Sequence, residues 1–442
     1  MRIYLTDNNL GQSGIARYYR KDVAALFPIA GKNIAQLCRE NENLLIFPYC
    51  LNDTDDRIGE SSVIDLQNTD DAEKVEIITG NIMGFIGTGD LQIKIKSRFD
   101  KGREDFFLHY MLQKVLSFNL FDWNHSHEQQ DVFDIAMFMF PHFLKNALRR
   151  GIYKEYRCYK RNDANIKGIL DLGRHIANNI PFNGNIAYST REYSSDNSLT
   201  QLIRHTIEFM KATKYGARVL NIDYDTIEYV KSIIGHTPTY NKSDRESILC
   251  KNLRQKIHPY YTEYQPLRTL CIQILKMEGI KYGESEEEIS GILFDGAWLW
   301  EEYVNTILCQ QGFLHPENRN KKGRIYLFED NSGYRYPDFY NKKGIVLDAK
   351  YKRIGSYTNV ADVERDDIHQ IITYITCLQA NKGGFISPLL HKLPSVPSKK
   401  IKGLQAPLSI FGIEISKKSN SYADFCQEME KMENDFIESL DL

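Results

Sequence analysis

The chain has 442 residues, 42% of them hydrophobic and 12% aromatic, which supplies apolar surface for two or three domains and excludes a disordered polymer. Lys and Arg number 56 against 58 Asp and Glu, a formal net charge of -2, so attraction to nucleic acid must come from local patches and not from the whole-molecule field. Eight scattered cysteines without a Cys-x-x-Cys pair argue against a zinc ribbon or a disulfide framework and fit a reducing cytoplasm. The stretch from Met1 to Asp7 lacks a signal-peptide core, and no apolar run approaches the roughly 20 residues that span a bilayer, so a soluble, cytoplasmic protein without membrane contact is expected.

In chain order, residues 1–105 read as a mixed, mostly β module. Leu44-Leu45-Ile46-Phe47 is a short apolar run, and Leu91 to Lys96 alternates with period two after the Gly87-Thr88-Gly89-Asp90 turn. Residues 106–284 read as a largely helical connecting region, with helices over Phe106 to Phe118 and Leu199 to Ala212, an irregular stretch from Tyr153 to Tyr193, and a break after Thr239. From residue 285 to 442 one helix, three strands, one helix and further strands give an α/β order.

That last region carries chemistry. Gly344 to Tyr351 reads as a strand on which period two puts Val346, Asp348 and Lys350 on one face. Tyr334 to Tyr340 is a second strand, and the Asn341-Lys342-Lys343-Gly344 turn lets the two pair as a hairpin that brings Asp338 near Asp348. Two convergent carboxylates suit Mg²⁺, with Mn²⁺ as a substitute, because a hard cation takes oxygen ligands and keeps exchangeable waters. Lys350 is then placed to orient an attacking water or to stabilise phosphoryl oxygens. The competing reading is a surface hairpin with solvated Asp348 and Lys350.

Two helices flank this hairpin. In Phe294 to Val304, helical spacing sets Glu301 beside Phe294, Ala297, Trp298 and Val304, so Glu301 is expected to be a buried acid and a third metal ligand with Asp338 and Asp348, while Glu302 is exposed. After the hairpin, Asp367, Gln370, Ile371 and Tyr374 share a helical face, and Gln370 is expected to reach the site.

Trp300-Glu301-x-Tyr303-Val304, Tyr336-Pro337-Asp338-Phe339, Leu347-Asp348-Ala349-Lys350-Tyr351-Lys352 and Asp367-x-x-Gln370-x-x-x-Tyr374, in this order, resemble the nuclease half of McrC-type subunits of McrBC-like (5-methylcytosine-specific or LlaJI-like) restriction systems. The front of the chain is similar more weakly, through Leu91-x-Ile93-x-Ile95-Lys96, Lys167-Gly168 and Asp196-Asn197-Ser198-Leu199. The resemblance implies a PD-(D/E)xK fold over residues 285–442, Mg²⁺-dependent cleavage of double-stranded DNA in antiviral defence, and a separate hexameric AAA+ GTPase of the McrB type. Consistent with a separate motor, no GxxxxGK[ST] occurs, so this chain is expected to bind no nucleotide itself. The second function class is a non-catalytic DNA-binding adaptor that stimulates the partner NTPase. The presence of Asp338, Asp348 and Lys350 with Glu301 favours the enzyme.

Weaker signals remain. Basic residues interleave with tyrosines from Lys145 to Lys167, which suits phosphates and base stacking or a plain solvated face. His125-Ser126-His127 is a loop lacking a third ligand, Ser387 to Pro407 reads as a mobile loop, and Phe425, Met429, Met432, Phe436 and Leu440 form a stripe that packs back on its domain.

Overall fold

In the computed structural model, Leu91–Lys96 is a strand whose Leu91, Ile93 and Ile95 are buried and whose polar residues are half-buried, the outcome that period-two alternation dictates for a sheet with one covered face. It pairs in parallel with Arg2–Thr6 and antiparallel with Ile82–Thr88. The structure describes all residues except 11–15, 42–43, 49–61, 89–90, 101–104, 117–130, 254–256, 281–288, 317–322, 354–358, 417–418, 420 and 442. The His125-Ser126-His127 motif thus lies outside the described residues.

The same sheet takes in a strand from far along the chain. Ile289–Asp295 inserts between Ile82–Thr88, to which it is antiparallel, and Leu44–Phe47, to which it is parallel, completing five strands. A smaller sheet of Arg17–Tyr19, Lys74–Thr79 and Ile64–Asn68 shares its core, which includes Ile3, Leu37, Ile46, Ile77, Ile93 and Leu293.

The chain divides into two compact units: Met1–Glu128 together with Ser285–Leu442, and Gln129–Glu284. The sequence reading set boundaries near 105 and 285 and kept the N-terminal module apart from the last third. The structure differs because Ile289–Asp295 is hydrogen-bonded on both edges by N-terminal strands. The helix Phe106–Val115 also belongs to this first unit, where Tyr110 donates to buried Glu433 at 2.7 Å and Tyr303 donates to the same carboxylate at 2.8 Å.

A second sheet of the first unit runs in the order Phe313–Leu314, Phe339–Asn341, Ile345–Ala349, Lys382–Leu389, Pro407–Glu414, Ser398–Lys400. Its centre is parallel and buried on both faces, as the continuous apolar runs require. The helices Arg365–Leu378 and Tyr422–Ser439 belong to the same unit, the latter burying Phe425, Met429 and Phe436 as its stripe predicts. The expected mobile loop from Ser387 to Pro407 is corrected: residues 387–389 finish a core strand, and Ser398–Lys400 adds an edge strand to Pro407–Glu414.

The second unit contains the helices Asp131–Leu148, Ser198–Ala212, Tyr224–His236, Arg245–Leu253 and Tyr264–Ile280. The stretch expected to be irregular is a sheet, Glu155–Asp163 against Ile186–Ser194 against Ile169–Leu170, with the helix Leu172–Asn179. Glu155–Asp163 buries none of its residues, so it carries no apolar alternation for a sequence reading to find. Among the described residues no helix is long and apolar enough to cross a membrane.

Candidate active site

The hairpin forms about the expected turn. Phe339 pairs with Leu347 and Tyr340 with Val346, and the Asn341 side chain closes the turn by accepting from the N–H groups of Lys343 and Ile345, each at 3.0 Å. The upstream strand is not continuous. It breaks at Tyr336-Pro337-Asp338, where proline has no N–H to give a ladder, and Tyr334–Arg335 pairs instead with Ile325–Tyr326. Asp338 therefore sits just before the paired segment, and its Oδ2 accepts from the Ala349 N–H at 2.7 Å, one residue beyond Asp348.

Asp348 is fully buried on the central strand. Burial raises its carboxyl above the usual carboxylate range, against the opposing charge of Lys350. The Lys350 Nζ lies 2.9 Å from Asp348 Oδ2 and 3.4 Å from Asp367 Oδ1. Among the described residues that ammonium is the one charged donor beside the Asp348 carboxylate, which receives no backbone N–H. Burial disfavours the Lys350 ammonium, but the charges of Asp348 and Asp338 outweigh it and hold the group above the ordinary lysine pKa.

Arg365–Leu378 brings the next groups. Lys350 donates to Gln370 Oε1 at 3.1 Å, Gln370 Nε2 donates to the Tyr374 hydroxyl at 3.0 Å, and that hydroxyl donates to the Tyr336 carbonyl at 3.3 Å. Burial pushes the Tyr374 phenol up to about 12, so it stays a donor. Lys352 donates to Glu364 at 2.7 Å and to Asp367 at 2.9 Å, which makes Asp367 a bridge between two lysines.

Glu301 requires a correction. Its side chain is 35% exposed, and like Glu302 it flanks an apolar stripe centred on Trp300, Tyr303, Val304 and Ile307. One turn back, Ala297 is exposed, so the face that spacing assigned to Glu301 is the edge of the stripe. Its Oε1 lies 3.8 Å from His315 Nε2, and His315 Nδ1 donates to the Asp338 carbonyl at 2.7 Å while the ring stacks on Phe339 at 5.0 Å. Glu301 thus connects to the Asp338 backbone through a histidine. Among the described residues no group of three or more His, Cys, Asp or Glu is close enough together to hold a metal ion.

The model of the McrBC 5-methylcytosine restriction system component family matches residues 77–390, well over half of the chain. The chain belongs to this family. The McrC-type resemblance read from the Trp300 to Tyr374 motifs therefore holds. Among solved structures, the refined half-complex from a tetradecameric assembly of Thermococcus gammatolerans McrB AAA+ hexamers with bound McrC matches at TM-score 0.51 and 16% identity, covering 98% of this chain and 100% of that one. At that identity the likeness speaks for fold. The cryo-EM structure of the Thermococcus gammatolerans McrBC complex matches at TM-score 0.30 and 16% identity over 70% of this chain and 88% of that chain, too loosely to carry an argument. No curated protein matches the chain significantly.

On this McrBC-family chain, the folded hairpin and helix bring together Asp338, Asp348, Lys350 and Gln370 and hold Glu301 one histidine away. Sequence reasoning placed Asp367 on the correct helical face without giving it a role, and it passed over Lys352 and His315. The signal for Asp367 was its spacing of three from Gln370, and for Lys352 its place two residues after Lys350 on an extended segment. Nothing local marks His315, which reaches Asp338 only through the sheet.

Proposed function

We propose that this chain is the Mg²⁺-dependent endonuclease subunit of a McrBC-like restriction complex, with a PD-(D/E)xK nuclease region that cuts double-stranded DNA when assembled with a McrB-like AAA+ GTPase, which it stimulates. The observation that carries this reading is the convergence of Asp348, Lys350 and Gln370 beside Asp338, with a buried carboxylate that meets only the Lys350 ammonium. A buried, unsolvated carboxylate is costly unless something positive meets it, and a single ammonium contact leaves coordination capacity over. That capacity fits Mg²⁺, which needs only one or two carboxylates and fills its remaining positions with water and phosphate oxygens. Asp348 and Asp338 would hold the ion, whose chemistry there is to lower the pKa of a water and to offset phosphoryl charge. Lys350 keeps its proton and presents a fixed positive charge to the scissile phosphate, while Gln370 and Tyr374 fix the direction of that ammonium. The description of the Thermococcus assembly, McrC bound to McrB hexamers, supports the choice of partner.

The alternative is a non-catalytic DNA-binding adaptor that stimulates the same partner. One experiment separates the two. With the AAA+ partner, GTP, Mg²⁺ and plasmid DNA with or without 5-methylcytosine, Asp348→Asn and Lys350→Ala should each lose cleavage by on the order of 10²–10³-fold while still raising GTP hydrolysis. Unchanged cutting by both variants, or a wild-type complex that stimulates GTPase but never cuts, establishes the adaptor instead.

A further inference from the structure

The Tyr351–Lys352 peptide, one residue beyond Lys350, is held by the N-terminal module. Arg2–Thr6 and Leu91–Lys96 lie side by side and end together, and just beyond their ends Asp7 and Arg98 form a buried ion pair with Arg98 Nη1 2.6 Å from Asp7 Oδ2. Asp7 also accepts from the Arg98 backbone N–H. The guanidinium, fixed in this way, donates through Nη2 to the backbone carbonyl of Tyr351 and through Nη1 to Asn81 Oδ1 at 3.0 Å. It stands over the Tyr351 ring at 4.6 Å, and that ring meets Phe99 edge-on at 5.1 Å and hydrogen-bonds Ser97 through its hydroxyl at 2.7 Å. On the other side of Lys350, its own N–H donates to the Ile386 carbonyl at 2.8 Å, which continues the central sheet.

We infer that Arg98, set by Asp7, is a positioning residue for the nuclease centre: it fixes the Tyr351–Lys352 peptide, one residue beyond Lys350, and so makes the geometry of that centre depend on the N-terminal module. This rests on the reading of Asp348 and Lys350 given under Proposed function. Lys350 is anchored on its upstream side by the sheet and on its downstream side by a guanidinium that no residue of the nuclease sheet supplies. A planar fork is needed because one group must reach a carboxylate, an amide oxygen and a peptide carbonyl at once. Lysine keeps the charge for Asp7 but cannot span all three.

The test uses the full-length chain assembled with its AAA+ partner and measures single-turnover cleavage of saturating plasmid DNA, GTPase stimulation and Tm. Arg98→Lys should slow cleavage about tenfold or more at unchanged DNA affinity and unchanged GTPase stimulation. Ser97→Ala removes a buried hydrogen bond from the same cluster and should lower Tm while cleavage stays within about twofold. Asp7→Asn, a neutral isostere that leaves Arg98 less firmly held, should fall between them and serves in place of Arg98→Lys if that variant does not fold. Cleavage that tracks Tm across the three variants overturns the inference in favour of a purely structural role. A full-speed Arg98→Lys complex, in a background where Lys350→Ala is inactive, overturns the inference alone. A wild-type complex that never cuts overturns both this inference and the reading on which it rests.

Discussion

Asp295 caps the helix Gly296–Leu308 by accepting from the Trp298 N–H at 2.8 Å, yet it is 7% exposed, and burial pushes its carboxyl up to about 6 although two backbone N–H groups oppose the shift. Because the folded state holds this proton more tightly than the unfolded chain does, the contribution to stability is greatest below about pH 4 and is lost as pH rises towards 6. A displacement from 3.8 to about 6 corresponds to on the order of 3 kcal/mol. Asparagine keeps the capping oxygen without the buried charge. Asp295→Asn should therefore have a higher Tm than wild type at pH 7.5, with the difference falling to roughly a third at pH 4.5 and disappearing below about pH 3.5. An equal difference at pH 7.5 and pH 4.5 removes the charge from the explanation. Residues of this kind show how far the sequence was legible. Lys350 and Asp348 face one way because alternation along an extended segment demands it, and Gln370 reaches them because it shares a helical face with Tyr374. Arg98 carries no comparable local signal, because its partners Asp7, Asn81 and Tyr351 lie in three distant parts of the chain.

At the scale of elements, Ile82–Thr88 and Ile289–Asp295 approach so closely at Gly84 that a Cβ there would fall on the Ile292 carbonyl oxygen, and the glycine has φ +127°, where L side chains are strained. Gly84→Ala should destabilise the first unit by about 2 kcal/mol or more, read as a shift in urea midpoint at unchanged m-value. A neutral result would mean that the two strands separate without cost. The existence of Ile289–Asp295 as an apolar segment is plain in the sequence, but its partners are not. Strand pairing across some 200 residues leaves no local periodicity, and the α/β order read from residue 285 opened on a helix and missed this strand. The basic stretch from Lys145 to Lys167 has the same lesson at smaller scale. Its arginines stand over tyrosines, Arg157 and Arg161 over Tyr159 at 5.9 and 5.7 Å, on a sheet whose exposure hides any alternation.

For the whole molecule, the decisive fact is that the unit carrying the candidate site is made from both ends of the chain, with Gln129–Glu284 inserted between them. The sequence suggested that residues 285–442 would fold alone. The topology leads to the opposite expectation: a fragment starting at residue 285 leaves Ile289–Asp295 without either neighbour and Tyr351 without its cage, and should be unfolded or aggregated by circular dichroism and size exclusion. Residues 1–128 joined to 285–442 by a short linker should instead fold cooperatively in the same measurements. A well-folded 285–442 fragment would refute this. The same topology imposes an order in time. Leu44–Phe47 emerges early in synthesis, but its only strand partner among the described residues is Ile289–Asp295. At roughly 5–20 residues per second the ribosome takes roughly 10–50 s to reach that strand, and longer to reach Tyr351. Throughout that interval the chain holds an open sheet edge and an incomplete candidate site, so a nascent or prematurely terminated polypeptide has the middle unit before Asp348 and Lys350 have the surroundings that position them.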